Sequence, residues 1–232
     1  MQSEWFTEIP DDLEENWFVK FCPQGFRILL IAQNHTTVCY NQQGRVILKI
    51  KTNFPGGGGS DSNGVTILDC IYNKCIKTVF VLDCLFWNAM SMLESEVNFR
   101  FFWLKTKFEE NPGFAKCLKY NFKLLDYVPA QRPLIQDHMF SVAHIEDHNI
   151  PYDGVVFYHK ESHYIFGYTP LVGWLASFML PEKLQIDVGP ENLARKPKDY
   201  CNMETYLESL RNKKRRSRGK HSVGAESEMD VQ

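Results

Sequence analysis

The chain has 232 residues, of which 44% are hydrophobic and 14% aromatic, enough to bury one full core or two small ones. Charged residues make up 23% and the mean hydropathy is -0.32, which excludes a mainly disordered or fibrous protein. The apolar stretches 26–32 and 79–82 are too short to cross a bilayer, and acidic side chains precede the first basic one, Lys20, unlike a secretory or mitochondrial leader. We therefore expect a protein of the cytoplasm and nucleus with no membrane partner.

The formal net charge of -2 is distributed unevenly. Residues 201–232 contain seven basic and five acidic side chains, which leaves 19 basic and 23 acidic ones in residues 1–200. Affinity for long nucleic acids depends mainly on neutralised phosphates, so an acidic body is a poor nonspecific binder. If this protein binds nucleic acid, it must recognise a small feature of it.

The first part of the chain is predicted to be an antiparallel meander. Short segments of alternating or apolar character are separated by turn residues such as Pro23-Gln24-Gly25 and Gln42-Gln43-Gly44. The predicted strands are 17–22, 26–32, 37–41, 46–50, 65–72 and 75–85. Between the fourth and fifth strands, FPGGGGSDSNG predicts a mobile loop, since it lacks the Lys-Ser/Thr ending of a phosphate-binding loop.

Two helices and three further strands are predicted after this meander. Ser91 to Glu94 has a capping-box pattern, and the apolar spacing that follows predicts a helix to about Lys107. A second helix is predicted from Pro133 to about Ile145, with strands at 154–159, 164–168 and 171–176. The fold class is α+β, dominated by one curved, mainly antiparallel sheet with flanking helices.

The sequence divides into a domain at 1–190 and a region at 191–232. The second region begins with helical character and continues into the basic run 211–220 and a tail predicted to be disordered. The basic run is compatible with a nuclear-localisation signal, an RNA-backbone contact or a solvated tail.

Metal and hydrolase chemistry have little support. The pairs His144/His148 and His159/His163 have H-x3-H spacing, but no cysteine or carboxylate completes a metal-binding pattern, so structural or surface histidines are favoured. The seven cysteines form no C-x2-C pair and are expected to be reduced. No G-x-S-x-G elbow is present. We expect no metal and no cofactor.

The segment from Lys20 to Arg27 resembles the K-x-D-G-x-R motif of covalent nucleotidyltransferases, the capping guanylyltransferases and polynucleotide ligases. The segments TILDCIY (66–72) and DGVVFYHK (153–160) continue this resemblance in order and spacing. However, alignment on Gly25 and Arg27 puts Cys22 at the position of the nucleophilic lysine and Gln24 at that of the aspartate. Lys20 is displaced by two residues, about 6–7 Å along a strand. The catalytic equipment is therefore absent from the motif.

A guanylyltransferase-like sheet without its nucleophile is similar to the snurportins, which bind the trimethylguanosine cap of spliceosomal small nuclear RNAs. The resemblance spans Gln2 to about Val188. The matched stretches are SEW with P-D-L-x-x-x-W at 3–17, CPxGxR at 22–27, PGG at 55–57, TILDCIYN at 66–73, VLD…W at 81–87, FRFxW at 99–103 and DGVVFYHKESHY…TPLVGWL at 153–175.

The resemblance implies roles for individual residues. Trp174 corresponds to the tryptophan that stacks on the methylated base, and Trp5 to the one that lies against the dimethylated amine. Gln2, Ser3 and Cys22 correspond to residues that line the pocket. Arg27 matches a basic residue near the phosphates, although a strand arginine can equally form an ion pair, and Cys22 can equally be core filling. Trp17, Trp87 and Trp103 are expected to pack.

The sequence also departs from the family. Gln42 and Phe26 stand where relatives carry basic residues, which predicts weaker attraction to the triphosphate. The implied partners are trimethylguanosine-capped small nuclear RNAs and their ribonucleoproteins, with nuclear import as the role. The resemblance also implies importin-β and the nuclear export receptor. No basic helical arm of the kind that recruits importin-β precedes Trp5, which weakens that expectation.

Three functions therefore stay open at the level of sequence. The first is a non-enzymatic reader of the trimethylguanosine cap. The second is a covalent nucleotidyltransferase that uses Lys20. The third is a degenerate scaffold that binds only protein.

Overall fold

The computed structural model describes residues 1–58, 64–117, 119–141 and 150–222. Its strands are β1 Gln2–Trp5, β2 Trp17–Pro23, β3 Phe26–Gln33, β4 Thr36–Asn41, β5 Val46–Ile50, β6 Thr66–Asn73, β7 Thr78–Trp87, β8 Met90–Ser91, β9 Lys116–Cys117, β10 Tyr120–Leu124, β11 Val128–Pro129, β12 Tyr152–His159 and β13 Tyr168–Ala176. Its α-helices are α1 Leu13–Asn16, α2 Val97–Glu110, α3 Arg132–Ser141, α4 Leu180–Leu184, α5 Pro190–Leu193 and α6 Met203–Ser222. The α+β class is confirmed.

The strands form two sheets, where the sequence predicted one dominant sheet. The first sheet has the order β1, β13, β12, β2, β11, and the second has the order β5, β4, β3, β6, β7, β10, β9, with β8 paired to β7. Pairing is mainly antiparallel, with parallel pairs at β1–β13 and β10–β7. The parallel pair at β1 joins the two ends of the domain, a long-range contact that alternation of residue types does not reveal.

The second sheet carries the larger apolar core on one face. Its alternating strands bury Ile28, Leu30, Leu68 and their neighbours against aromatic residues from the surrounding segments. One of these is Phe54, which is 1% exposed and lies 5.2 Å from Phe122, centroid to centroid. The start of the glycine-rich segment is therefore packed, so the mobile-loop prediction is wrong for residues 54–58. Residues 59–63 lie outside the described residues. Gly56 has φ +85, which a glycine adopts without strain.

Helix α2 is joined to the second sheet by a buried ion pair. The Arg100 guanidinium donates to both carboxylate oxygens of Asp83 at 2.9 Å, and both side chains are at most 1% exposed. Burial opposes the charged form of Arg100, but Asp83 outweighs it and raises the pKa of Arg100. The helix begins at Val97 after the N-cap residue Glu96, not at the predicted capping box of residues 91–94. An ion pair with the sheet, not a local cap, thus accompanies the helix start.

The remaining elements match the predictions unevenly. Residues 164–167, predicted as part of a strand, have no strand structure, and β13 begins at Tyr168. Helix α3 is described from Arg132 to Ser141, and its predicted end near Ile145 lies outside the described residues. In the described part of the chain, no helix combines the length and the apolar character that crossing a membrane requires.

The chain contacts divide the protein into two units, Met1–Ala194 and Arg195–Gln232. The second unit contains α6, which runs through the basic segment 211–220 up to Ser222. Residues 223–232 lie outside the described residues, so disorder of the tail stays a prediction.

Candidate functional site

The two tryptophans singled out in the sequence are neighbours in the first sheet. Trp5 of β1 is the Cα partner of Trp174 of β13, Trp174 is the partner of Val156, and Val156 is the partner of Lys20. Partners in adjacent strands point to the same face of a sheet. Trp5, Trp174 and Lys20 therefore share one face, with Trp5 on the edge strand β1 and Trp174 on the strand beside it, each half-buried. Two residues from opposite ends of the domain thus meet.

The Trp174 indole lies over the backbone of β12. A Cβ added to Gly154 would lie 2.7 Å from Cζ2 and 2.8 Å from Cη2 of Trp174, and 2.2 Å from the Leu175 carbonyl oxygen. A side chain at this position would therefore displace the indole or separate the strands. The glycine of the DGVV segment fixes the orientation of the ring.

Lys20 lies on the same face as the two tryptophans, but in the interior of the domain. Its Nζ donates to the carbonyl oxygens of Leu82 at 2.7 Å and Leu125 at 3.0 Å, and lies 3.8 Å from the centroid of the Phe101 ring. The residue is 1% exposed, and burial lowers the pKa of Lys20 from 10.5 to about 8. The amine is thus fully engaged with backbone acceptors and an aromatic ring, and is closed to solvent.

Cys22, the residue aligned with the nucleophilic lysine, is also inaccessible to solvent. It is fully buried, and burial raises the pKa of its thiol to about 12. It packs beside Gly154, its Cα partner in β12. The observed role of Cys22 is core packing, and its predicted contact with a ligand stays a prediction.

Arg27 forms an ion pair at the base of a cleft. Its Nε and Nη2 donate to the two carboxylate oxygens of Asp69 at 2.5 and 2.6 Å, and Tyr164 Oη donates to the same carboxylate at 3.0 Å. Burial opposes the charge on Arg27, but Asp69 outweighs it and raises the pKa of Arg27. Burial likewise opposes the charge on Asp69, but Arg27 outweighs it and lowers the pKa of that carboxyl. The pair is ionised and brings no net charge to the cleft.

The cleft above this pair brings three of the predicted site residues together. Gln2, Arg27 and Gln42 line a cavity of about 170 Å³, and Arg27 remains 24% exposed. Ser3, half-buried, is the neighbour of Gln2 on β1 and pairs with Thr169. The predicted residues therefore occupy two adjoining places on the domain, a tryptophan pair on β1 and β13 and a polar cleft at the start of β1.

The sequence interpretation missed several residues of the cleft. Asp69, Tyr164 and Phe166 also line it, and Phe166 is 72% exposed. Asp69 and Tyr164 lie inside the matched stretches TILDCIYN and HKESHY. The family resemblance therefore included both residues, but it did not indicate their place in the cleft. The contact between them joins residues far apart in the sequence, which spacing does not reveal.

The histidine pair on the HKESH segment is not arranged as a metal site. His159 Nε2 lies 3.8 Å from Asp12, while His163 Nδ1 lies 3.9 Å from Glu94, so the two rings face different carboxylates. No group of three or more potential metal ligands occurs within residues 1–58, 64–117, 119–141 and 150–222. His144 and His148 lie outside the described residues.

Solved DNA ligases are among the structures to which this chain is similar. The ligase domain of M. tuberculosis LigD is 12% identical over 71% of this chain and 55% of that chain, with a TM-score of 0.49. Mycobacterial DNA ligase D complexed with ATP and MES is 12% identical over 70% of this chain and 55% of that chain, at 0.47. A Lig E DNA ligase is 10% identical over 76% and 69%, at 0.46. The chain spans little more than half the length of the first two.

The family comparison agrees with the motif analysis. The family described as "Snurportin1, m3G cap-binding domain" matches residues 1–177. The match includes every predicted site residue from Gln2 to Trp174 and covers most of the chain. The protein therefore belongs to the family of the snurportin trimethylguanosine cap-binding domain.

Proposed function

We propose that this protein is a non-enzymatic reader of the trimethylguanosine cap of small nuclear RNA. In this proposal the methylated base stacks on Trp174, and Trp5 lies against its dimethylated amine. The observation that carries it is the in-register pairing of these two half-buried tryptophans on one face of the first sheet.

The chemistry of the base suits two indoles. N7-methylated guanine is cationic, so stacking on an indole combines dispersion with cation–π attraction, about 1–3 kcal/mol for each stack. Because Trp174 is braced against the Gly154 backbone, its ring loses little freedom when a ligand binds. Preorganisation of the ring therefore adds to affinity.

Selectivity for three methyl groups follows from what faces the exocyclic nitrogen. Two added methyl groups remove its N–H donors and enlarge its apolar surface, so an indole binds it better than a carboxylate does. The carboxylate nearest in sequence is Glu4, whose Cα partner Gly173 precedes Trp174, so Glu4 and Trp5 lie on opposite faces of β1. The pocket would favour the trimethylated form.

The triphosphate is assigned to the cleft of Gln2, Arg27 and Gln42. The carboxylate of Asp69 neutralises Arg27, and Gln42 is uncharged. Arg27 would therefore contribute hydrogen bonds to the phosphates with little net charge of its own. Stacking would supply most of the affinity.

The biological setting is proposed from the family alone. It comprises capped small nuclear ribonucleoproteins as cargo, the cytoplasm and nucleus as locations, and importin-β and the nuclear export receptor as transport partners. Catalysis is not proposed, because the buried Lys20 amine is hydrogen-bonded to two backbone carbonyl oxygens. Incubation with labelled GTP or ATP should leave no acid-labile nucleotide on the protein, whereas an adduct lost in Lys20→Met would establish the transferase alternative.

Tryptophan fluorescence provides the direct test. Titration with a trimethylguanosine cap dinucleotide should quench the wild type, and Trp174→Ala should weaken binding at least about tenfold. Trp5→Ala should reduce the preference for trimethyl over monomethyl caps more than it reduces overall affinity. The matched control is Trp103→Phe, because Trp103 lies on α2 stacked against Phe99, 5.8 Å away, and should leave binding unchanged.

Two results would contradict the proposal. The first is absence of quenching in the wild type at high micromolar cap. The second is a Trp174→Ala variant with wild-type affinity, and if this variant also retained small nuclear ribonucleoproteins, the protein-binding scaffold would be supported instead.

A further inference from the structure

The cleft assigned to the triphosphate is lined by one cationic and one anionic side chain. Of the described residues that line it, Arg27 and Asp69 are the only ones whose side chains carry a charge. Gln2, Asn41 and Gln42 supply uncharged amides to the same lining. The side-chain charges of the lining therefore sum to zero, although the ligand assigned to the cleft is strongly anionic.

The guanidinium of Arg27 is held by the carboxylate of Asp69 but keeps one nitrogen for a ligand. Its Nε and Nη2 donate to the two carboxylate oxygens, and Nη2 also donates to the Met1 carbonyl oxygen at 3.2 Å. Nη1 makes no hydrogen bond to any residue that the structure describes. The Asp69 side chain is 8% exposed and the Arg27 side chain 24%, so the carboxylate is the more deeply buried partner. The two N–H groups of Nη1 can therefore meet a phosphate oxygen while Asp69 balances the charge.

The position of the Asp69 carboxylate is fixed by other contacts. Tyr164 Oη donates to its Oδ2 at 3.0 Å, and the Met1 nitrogen lies 3.5 Å from the same oxygen. The residue belongs to β6, where its Cα partner is Leu29 of β3. Because these contacts do not involve Arg27, the carboxylate stays beside the guanidinium when a ligand arrives. A bound phosphate would have to share the charge of Arg27 with Asp69.

This sharing affects which ligands the cleft can hold. Every nucleoside triphosphate carries a phosphate chain like that of the cap, and charge attraction acts on this chain whatever base is attached. A hydrogen bond from an unbalanced cation to a phosphate is roughly twice as strong as one between neutral groups. A balanced arginine therefore limits the part of the affinity that all these ligands share, and leaves the methylated base to supply the rest.

We propose that Asp69 keeps unmethylated nucleoside triphosphates out of the cap site by neutralising Arg27. The inference rests on the proposed function, because it takes the base to lie on Trp174 and the triphosphate to lie in this cleft. Asp69 touches no ligand in this scheme and acts through Arg27, so it is a positioning residue. Without its carboxylate, GTP would gain affinity through its phosphates alone.

The test is a double-mutant cycle on the full chain, measured by titration calorimetry. Wild type, Asp69→Asn, Arg27→Gln and the double variant are titrated with trimethylguanosine, its 5′-triphosphate and GTP. Asp69→Asn should bind both triphosphates about fivefold more tightly than the wild type does, and high salt should reduce this gain. The affinity for trimethylguanosine, which has no phosphate, should be the same in all four proteins. A purely structural role of Asp69 would change the nucleoside affinity as well.

The other edge of the cycle decides the matter if Asp69→Asn fails to fold because Arg27 has lost its counter-charge. Arg27→Gln leaves the carboxylate unbalanced, so both triphosphates should bind about fivefold more weakly than to the wild type. Adding Asp69→Asn to this variant should restore most of that loss. The matched control is Glu109→Gln, which removes one negative charge at an exposed position of α2 and should leave the GTP affinity unchanged.

The outcomes separate this inference from the proposed function. If trimethylguanosine binds but Asp69→Asn raises the affinity for neither triphosphate, or raises that for the nucleoside equally, the inference is overturned and cap reading stands. A double variant that binds triphosphates as weakly as Arg27→Gln also overturns it. If trimethylguanosine does not bind to the wild type, the proposed function fails and the inference fails with it.

Discussion

The buried amine of Lys20 gives the protein a pH dependence of stability that a single substitution can isolate. Burial lowers its pKa from 10.5 to about 8, so between these values the unfolded chain holds a proton that the folded protein has released. The free energy of unfolding therefore rises with pH in this window, by up to about 1.4 kcal/mol per unit from this group. Below pH 8 the charged amine costs roughly 3 kcal/mol relative to a lysine in water.

Lys20→Met removes the titration and keeps the volume. At neutral pH the variant loses two hydrogen bonds, to the carbonyl oxygens of Leu82 and Leu125, at about 1–3 kcal/mol for each unpaired acceptor. It also loses the cost of the buried charge, so the two effects oppose each other and the net change is small. As the pH rises above 8, that cost falls in the wild type alone, and it vanishes only when the unfolded chain also loses the proton near pH 10.5.

The assay is urea denaturation of wild type and Lys20→Met at several pH values between neutral and about 9, with the difference in unfolding free energy as the readout. The unfolding free energy of the wild type should rise relative to that of the variant by about 1 kcal/mol or more over this range. The buried thiols are common to both proteins, so their effects largely cancel in the difference. A flat difference for Lys20→Met would refute the burial argument and reopen Lys20 as a nucleophile.

Three further substitutions test the packing around the site. Gly154→Ala should lower both stability and cap affinity, because its Cβ would lie 2.7 Å from the Trp174 ring, and a folded variant with wild-type cap affinity would be inconsistent with a braced indole. Asp83→Asn should cost about 3–5 kcal/mol in chemical denaturation, because it leaves Arg100 buried without its counter-charge, and a loss below about 1 kcal/mol would show that water reaches the pair. Phe54→Ala should cost about 3–5 kcal/mol if this residue fills the core, whereas a mobile loop would lose less than about 0.5 kcal/mol in the same measurement.

Alternation predicted most strands because each buries one face against a core. The interpretation failed where side chains serve long-range contacts. Residues 164–167 have the aromatic content of a strand, but they pair with no neighbouring strand. The Tyr164 side chain instead packs inward, where its hydroxyl donates to Asp69. Glycines around Phe54 suggested mobility, yet the apolar ring beside them packs in the core. Local composition does not record what lies opposite a residue in space.

The sequence by itself determined the α+β class, the family and the types of residue available to a cap, because these depend on ordered motifs and on alternation along single strands. Only the tertiary structure decided which of them meet. The parallel pairing of β1 with β13 brings Trp5 beside Trp174, and β2 carries Lys20 on the same face into the interior. The physical reason is that strand pairing and burial act between distant parts of the chain, so the exposure of an indole and the charge of an amine are properties of the assembled sheets.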